Sequence, residues 1–247
     1  MIRHEPRPAL PLRPSGWSSI SGLVCGFGDR DFTPPPDTLL LERQVHGIRV
    51  VEAGAHVPLD GSAWSEGCLL VPEEADALVA SSAGVVVGVR TADCVPLLMV
   101  APGHRWAAAV HAGWRGTIEG IAVEAVRAAG RAGVKPEELL AALGPSIGPC
   151  CYEVSFDLGE RFARAGFDVL EADATRPRPH LDLRAANRLL LERSGLVPGA
   201  VLDVGPCTRC GRDRFHSFRA DPDSPGRQIS WIGWEPRTPF QGHEPRR

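Results

Sequence analysis

The most constraining feature of the sequence is a series of short apolar segments between residues 77 and 112. Four of them are almost free of polar residues: Ala77–Ala80, Gly84–Arg90, Pro96–Ala101 and Trp106–Val110. Continuous apolar runs of this length are typical of strands that are buried on both faces. The pattern therefore predicts the central strands of a covered sheet.

A helical repeat follows these strands. Apolar residues recur at the spacing of one helix face, at Ile118, Ile121, Ala122, Ala125, Val126 and Ala129. Thr117 is the predicted N-cap and Gly130 lies near the predicted C-terminal end. Further helices are predicted at Ser155–Ala165 and Arg184–Ser194, and further strands at His180–Leu183, Val201–Val204 and Gln228–Ile232. The apolar run Leu140–Leu143 leads into a Gly-Pro turn.

Upstream of these elements, Leu39–Val45 and Ile48–Glu52 are predicted to form a hairpin joined at His46-Gly47. Residues 53–74 are predicted to be a polar loop. Strands and helices are mixed without strict alternation, which favours a single α/β domain with mixed sheets over a doubly wound fold. We predict this domain at residues 21–235, after an irregular, proline-rich segment (1–20) and before a frayed tail (236–247).

Charge and composition exclude several classes of partner. The chain has 27 basic and 30 acidic residues, so it lacks the basic surplus typical of nucleic-acid binding. The start of the chain has no signal-peptide pattern, and the most apolar stretch, Leu78 to Val100, is interrupted by Arg90 and Asp93. We expect a cytoplasmic, monomeric protein with reduced thiols that acts on a small molecule and has no nucleic-acid or membrane partner.

Four short polar islands interrupt the apolar sequence. They are Gln44–Gly47, Thr91–Cys94, His111–Gly116 and Gly144–Gly148, and each lies beside a predicted strand end. Polar residues next to glycines at strand ends are where α/β proteins commonly place active sites. The islands are therefore the predicted source of the functional residues.

The two histidines and the one cysteine of these islands form a candidate metal site. Cys and His side chains are donors that suit Zn²⁺, and His46, Cys94 and His111 come from three separate elements. Three protein ligands leave a fourth position open, which is the pattern of catalytic rather than structural zinc. The alternative for each residue alone is an ordinary buried side chain that binds nothing.

The same residues permit a reading without metal. Cys94 would be a nucleophile and His111 its base, with Asp93 or a backbone carbonyl orienting the imidazole. The glycine-containing turn from Gly113 to Thr117 would then bind an oxyanion through its N–H groups. Spacing alone does not distinguish a metal ligand from a nucleophile.

The remaining cysteines give weaker signals. Cys207 and Cys210 form a single C-x-x-C pair, whereas a zinc ribbon needs a second such pair. Cys150 and Cys151 are adjacent and are predicted to be packing residues. Near the end of the chain, Arg219 follows Phe218 in the segment Ser217-Phe218-Arg219. An arginine with an apolar neighbour can point inward and bind an anion, although a charged cluster is usually solvated.

Taken together, the islands resemble those of the YfiH-like laccase-domain family, whose members are described as polyphenol oxidases or purine nucleoside phosphorylases. The resemblance covers residues 22–233 in order. It rests on the segments QVHG, ADALV, TADCVPLLM, AAVHAGWRGT, LGPSIGPCCYEV, the late CT, FHSFR and GRQIS. The combination of TADC and HAGWRG is the most specific part of the match.

The resemblance implies a four-layer αββα sandwich and a zinc site formed by His46, Cys94 and His111. It also implies a purine nucleoside enzyme that phosphorolyses adenosine, inosine, guanosine and methylthioadenosine and deaminates adenosine. Two other activities in the family are copper-dependent oxidation of phenols and removal of misincorporated serine from peptidoglycan precursors. The fold is similar to that of cysteine deamidase toxins, which keeps the dyad of Cys94 and His111 as an alternative.

For the nucleoside chemistry, Asp93 is the predicted proton-transfer group, because it neighbours a metal ligand. Its alternative role is to orient His46 or His111. The predicted substrate-binding residues are Arg30, Gln44, Arg115 and Arg219, since guanidinium groups bind phosphate through paired hydrogen bonds. Copper oxidation of phenols fits less well: laccases need several copper ions and many histidine ligands, and the sequence has eight histidines. No axial Met for a blue-copper site is apparent.

The N-terminal region departs from the family pattern. Relatives continue from an HGF segment into a Gly-Gly-Val-Ser loop and a helix, whereas this chain runs from Cys25-Gly26-Phe27 through a proline-rich DFTPPP segment directly to the QVHG island. Arg30 still aligns with the family arginine. The missing loop leaves the substrate specificity less defined than the metal site.

Overall fold

The computed structural model describes residues 11–53, 64–65, 67–171, 177–224 and 226–236. Its helices are α1 (Trp114–Glu119), α2 (Ile121–Arg131), α3 (Phe156–Arg164) and α4 (Leu183–Arg193). Its strands are β1 (Leu23–Phe27), β2 (Leu39–Arg43), β3 (Val50–Glu52), β4 (Trp64–Ser65), β5 (Cys68–Glu74), β6 (Ala77–Ala80), β7 (Val86–Thr91), β8 (Val95–Ala101), β9 (Trp106–Ala112), β10 (Leu140–Leu143), β11 (Leu170–Glu171), β12 (His180–Leu181), β13 (Val201–Asp203) and β14 (Gln228–Trp234).

Twelve of these strands form two sheets. The first sheet has the order β1-β14-β7-β2-β5-β4, and the second has the order β13-β10-β8-β9-β6-β3. Each sheet contains both parallel and antiparallel pairs. This arrangement confirms the prediction of a mixed α/β sandwich with mixed sheets.

The side chains of β8 explain the continuous apolar pattern. Successive residues of a strand point to opposite faces. Leu97 and Met99 pack with the helices on one face, while Leu98 and Val100 join the core between the two sheets. All four are fully buried. A strand covered on both faces has no position for a polar residue, so the alternation expected of a half-exposed strand is absent.

Three connections that run from the first sheet to the second position the functional residues. Strand β2 is parallel to both β5 and β7, so all three strands end at the same edge of the first sheet. From that edge the chain continues into β3, β6 and β8 respectively, which belong to the second sheet. The residues in these three connections are therefore brought to one place.

The predicted hairpin at His46-Gly47 is wrong. Strand β2 lies in the first sheet, whereas β3 lies in the second and pairs in parallel with β6. The connection between them has a left-handed residue, His46, at φ 61°. Its N–H groups are bound by the Asp76 carboxylate instead of a partner strand. The local pattern showed two strands and a turn correctly, but it did not show that the turn changes sheets.

The prediction of a polar loop at residues 53–74 is corrected by β5, which pairs in parallel with β2. Its sequence contains Pro72, which has no N–H to donate to a ladder. The pairing shifts register at that point, between Leu41 and Arg43 of β2. Strand β4 also falls in the predicted loop and pairs antiparallel with β5, while residues 54–63 and 66 lie outside the described residues.

The predicted helix over 118–129 is two helices, and Thr117 is not its N-cap. Helix α1 begins one residue after Gly113, and Gly120, in the left-handed region at φ 95°, separates it from α2. Thr117 is instead fully buried, and its hydroxyl accepts a hydrogen bond from the Asn187 side chain at 3.0 Å. The apolar period continues across Gly120, which is why the sequence alone suggests one helix.

The first described residues pack against the sandwich. Leu12 and Phe27 exchange backbone hydrogen bonds, and Trp17, in a 3₁₀ turn, joins the core between the sheets. The domain limits at residues 21 and 235 stay a prediction. Among the described residues, no helix has the length and apolar character needed to cross a membrane.

Candidate active site

The three connections between the sheets, together with the end of β9, assemble one group of side chains. His46 follows β2, Asp76 follows β5 and Cys94 follows β7, while His111 is near the end of β9. Strand β9 runs antiparallel to β6 and β8, so its last residues reach the edge at which β6 and β8 begin. The topology thus explains why residues distant in sequence meet here.

His46, Cys94 and His111 are close enough to bind one metal ion. One donor atom from each lies within 4.8 Å of the others. The Cys94 Sγ and His46 Nε2 are 4.0 Å apart, and the two imidazole rings meet edge to face with centroids 4.7 Å apart. Tetrahedral zinc with ordinary bond lengths places sulfur and nitrogen ligands about 3.6 Å apart. The spacing and the donor types therefore fit a single Zn²⁺.

Asp76 organises both histidines. Its carboxylate accepts a hydrogen bond from His111 Nδ1 at 2.8 Å and others from the backbone N–H groups of His46 and Gly47 at 2.9 and 2.7 Å. Its side chain is fully buried. Because Nδ1 of His111 is taken by this carboxylate, Nε2 is the nitrogen left to face Cys94 or a metal.

The contacts of Cys94 and His111 favour their charged forms. Although burial acts in the opposite direction, hydrogen bonds with His111 and His46 lower the pKa of Cys94 to about 6. Burial likewise opposes the charge on His111, yet its hydrogen bonds with Asp76 and Cys94 raise its pKa to about 9. A thiolate is the form of cysteine that binds metals and attacks substrates. The site thus supplies a reactive sulfur.

The three donors open into a cavity of about 700 Å³. This volume lies within the range of sites for small molecules. The wall is rich in guanidinium and aromatic groups, namely Arg43, Arg90, Trp114, Arg115, Tyr152, Phe218, Arg219 and Arg227. Phe218 is 53% exposed although it is large and apolar, which leaves its ring accessible to a ligand. The cavity combines positive charge with flat apolar surfaces.

The structure places three of the four predicted substrate-binding residues at this cavity. Arg115 lies over the Trp114 ring at 4.5 Å, and Arg219 lies over the Tyr152 ring at 5.2 Å. Gln44 also lines the cavity, but its amide is paired with the backbone N–H and carbonyl of Arg90. Arg30 lines a different pocket and donates to the Phe215 carbonyl. Their roles in binding stay predictions.

Asp93 lines the cavity, but it does not orient either histidine. Its two carboxylate oxygens accept hydrogen bonds from the Thr208 hydroxyl at 2.6 Å and the Arg219 backbone N–H at 2.7 Å. The residue is left-handed, with φ 85°, and buried. The orienting role that the sequence suggested for Asp93 belongs to Asp76.

Sequence reasoning missed Asp76 and Tyr152 as site residues. Asp76 stands in the ADALV segment directly before a fully apolar strand, but Glu73 and Glu74 precede it closely, so the sequence does not single it out as the buried carboxylate. Tyr152 is the single tyrosine of the chain. Burial and the nearby Cys94 sulfur raise its pKa to about 12, so its hydroxyl stays protonated at the cavity wall.

The sequence matches one family model over residues 29–235, and that model is described as "Multi-copper polyphenol oxidoreductase laccase". The matched range includes the three candidate metal ligands, Asp76 and the cavity wall. It covers most of the described part of the chain.

Among curated proteins, the chain is 39% identical over 245 residues to a "Purine nucleoside phosphorylase" of Deinococcus radiodurans, covering 98% of this chain and 83% of that protein. It is 36% identical over 199 residues to "Adenosine deaminase RL5" of an unknown prokaryotic organism, covering 79% and 75% respectively. Among solved structures, it is similar in fold to the hypothetical protein YfiH of Bacillus licheniformis, with a TM-score of 0.78, 24% identity and coverage of 93% and 98%.

Proposed function

Because the chain belongs to the multi-copper polyphenol oxidoreductase laccase family, whose relatives include proteins named purine nucleoside phosphorylase and adenosine deaminase, we propose that it is a zinc-dependent purine nucleoside enzyme. Its reactions would be phosphorolysis of adenosine, inosine, guanosine and methylthioadenosine, and deamination of adenosine. The main observation in support is that His46, Cys94 and His111 line a cavity whose other walls contain arginines and aromatic rings.

The donor set favours zinc over a multi-copper centre. One thiolate and two imidazoles, with a carboxylate behind one imidazole, make a catalytic zinc set that leaves one position for substrate or water. Among the described residues, no second cluster rich in histidine accompanies it. When bound, zinc would supply a positive charge that polarises a neighbouring oxygen or nitrogen of the substrate.

For phosphorolysis, an oxygen of inorganic phosphate attacks C1′ of the ribose while the bond from C1′ to the purine nitrogen breaks. Its electron pair leaves with the base, which is then protonated. Arg115 and Arg219 are the proposed phosphate ligands, since both guanidinium groups lie at the cavity. Tyr152 and Phe218 are the proposed stacking surfaces for the purine.

For deamination, Asp93 is the proposed proton-transfer group. It lines the cavity beside Cys94, and each of its carboxylate oxygens has a second lone pair beyond the bonds to Thr208 and Arg219. Those two bonds hold the carboxylate in one orientation. A fixed acceptor near the reacting atom is what general base catalysis needs.

The experiment that tests the proposal measures release of hypoxanthine from inosine, with and without phosphate, together with zinc content. We expect phosphate-dependent release that His46→Ala abolishes while zinc falls by about one ion per chain. His104→Ala is the matched control, because this surface histidine bonds only to Glu138 among the contacts described. Zinc-loaded protein that is inactive on all four nucleosides would overturn the proposed activity.

Arg115→Ala is expected to raise the KM for phosphate by about 10- to 100-fold, because a charge-assisted hydrogen bond contributes about 1.5–3 kcal/mol. Arg161→Ala is its matched control. Both guanidinium groups lie over the Trp114 ring, at 4.5 and 5.0 Å, but only Arg115 lines the described cavity. Steady-state kinetics with varied phosphate measure the effect. Equal KM values for the two variants would contradict a phosphate-binding role.

A second candidate function is favoured by one observation. His111 bonds to the Asp76 carboxylate through Nδ1 and also contacts Cys94, which is the arrangement of a cysteine nucleophile, its base and an orienting acid. The alternative is a metal-free cysteine amidase. Release of serine from a muramyl-serine precursor by zinc-free protein, lost in Cys94→Ser, would support it over the nucleoside activity.

A further inference from the structure

Four of the seven cysteines lie together in a cluster that is separate from the candidate active site. Cys150, Cys151, Cys207 and Cys210 each place a sulfur within 4.8 Å of the other three. Cys210 Sγ is 3.7 Å from that of Cys150 and 3.4 Å from that of Cys151. The prediction that Cys150 and Cys151 are packing residues is wrong, because Cys150 is exposed and Cys151 is half-buried.

We propose that these four cysteines form a second metal site, a structural tetrathiolate site for Zn²⁺. Four sulfur ligands around tetrahedral zinc lie about 3.8 Å from one another, which agrees with the observed spacing. Four thiolates occupy every position of the ion, so the site is closed and takes no substrate. The adjacent pair at 150 and 151 supplies the two ligands that the single C-x-x-C pair lacked.

Backbone groups around Cys207 support a metal-bound sulfur. Its Sγ accepts a hydrogen bond from the Gly148 N–H at 3.2 Å and further ones from the N–H groups of Arg209 and Cys210. N–H groups directed at a sulfur stabilise the thiolate, which is the form that binds metal.

The short distances among the four sulfurs also favour a bound cation. Four sulfurs this close cannot all carry a negative charge unless a cation lies among them. A divalent ion removes that repulsion, and the exposed side of the cluster gives it access.

The proposed site would fasten two loops behind the active-site cavity. One loop follows β10 and carries Cys150 and Cys151, and the other follows β13 and carries Cys207 and Cys210. They already touch, since the Thr208 N–H donates to the Ser146 carbonyl at 3.0 Å. Thr208 also donates to the Asp93 carboxylate, so the two loops help hold a residue of the cavity.

The test measures metal per chain in the full-length protein without an affinity tag. We expect about two zinc ions per chain, about one in Cys150→Ser/Cys210→Ser, and about one in His46→Ala. Cys25→Ala is the control for loss of a thiol outside the cluster. Replacing zinc by cobalt is expected to give an intense sulfur-to-cobalt absorption that largely persists in His46→Ala and falls, in the double cysteine variant, to the weaker band of the single thiolate of Cys94.

Three results would overturn the proposal. The first is unchanged metal content in Cys150→Ser/Cys210→Ser, and the second is iron in place of zinc. The third is a disulfide: protein denatured without reductant, with metal chelated, would then titrate fewer than its seven thiols. Because the readout is metal and thiol content, the result is independent of whether the protein cleaves nucleosides.

Discussion

Asp76→Ala is expected to lower the free energy of unfolding by about 3–5 kcal/mol, because it leaves His111 and the N–H groups of the His46 connection without their buried acceptor. Asp76→Asn keeps the size of the side chain but removes its charge. Burial opposes the charge on Asp76, yet hydrogen bonds from His111 and Gly47 still lower its pKa. For the asparagine variant we expect about 10- to 100-fold weaker zinc binding, since the residue behind a ligating histidine fixes its orientation.

Denaturant unfolding and competition with a chelator measure these two effects. The matched control is Asp203→Asn, because Asp203 also pairs with a basic side chain, Arg188, but at an exposed position. An exposed ion pair contributes about 0–1 kcal/mol, so this control should change stability little and zinc affinity not at all. Zinc affinity of Asp76→Asn equal to that of the unchanged protein would contradict the organising role of Asp76.

Gly113→Ala is expected to reduce activity by about 100-fold or more, since displacing reactive groups by about 1 Å costs that much. A Cβ at this position would lie 2.8 Å from His46 Cδ2 and 3.1 Å from Cys94 Sγ. The backbone itself, with φ −75°, accepts alanine. The new methyl group must therefore push two of the three metal donors apart while the fold is retained.

Zinc content and nucleoside turnover measure the effect, and circular dichroism establishes whether the fold is kept. Gly130→Ala is the control, because a Cβ there meets nothing within 4 Å and the residue lies in α2. Alanine in a helix interior should stabilise that variant by about 0.5–1 kcal/mol. Full zinc content and activity in Gly113→Ala would show that the site tolerates movement of His46 and Cys94.

The sequence predicted those parts of the structure that depend on local patterns. Ala77–Ala80 is a strand with the predicted bounds, and the helix predicted at Ser155–Ala165 is found at Phe156–Arg164. The apolar period and the β-branched runs arise from burial of nearby residues, so they are visible in a short window. The polar islands offered His46, Cys94 and His111 as one candidate group, and the family resemblance implied that they form one site, which agrees with their proximity in the structure.

The features that sequence reasoning missed depend on contacts between distant residues. Nothing in the segments around His46 shows that β2 and β3 belong to different sheets. Asp76 and His111 are 35 positions apart, and Cys150 and Cys210 are 60 positions apart. The role of Asp76 depends on its contact with His111, and the role of Cys150 and Cys151 depends on their contact with Cys210. These contacts exist only in the folded chain, so a short stretch of sequence does not show them.

The passage of the chain from one sheet to the other at His46, Asp76 and Cys94 also has a kinetic consequence. The two sheets must dock before these connections meet β9, and contacts of such high sequence separation form late and slowly. Zinc that binds only the completed site stabilises the native chain and not its partly folded forms. During refolding, uptake of zinc at the proposed site would therefore mark the docking of the two sheets, after the local helices and hairpins have formed.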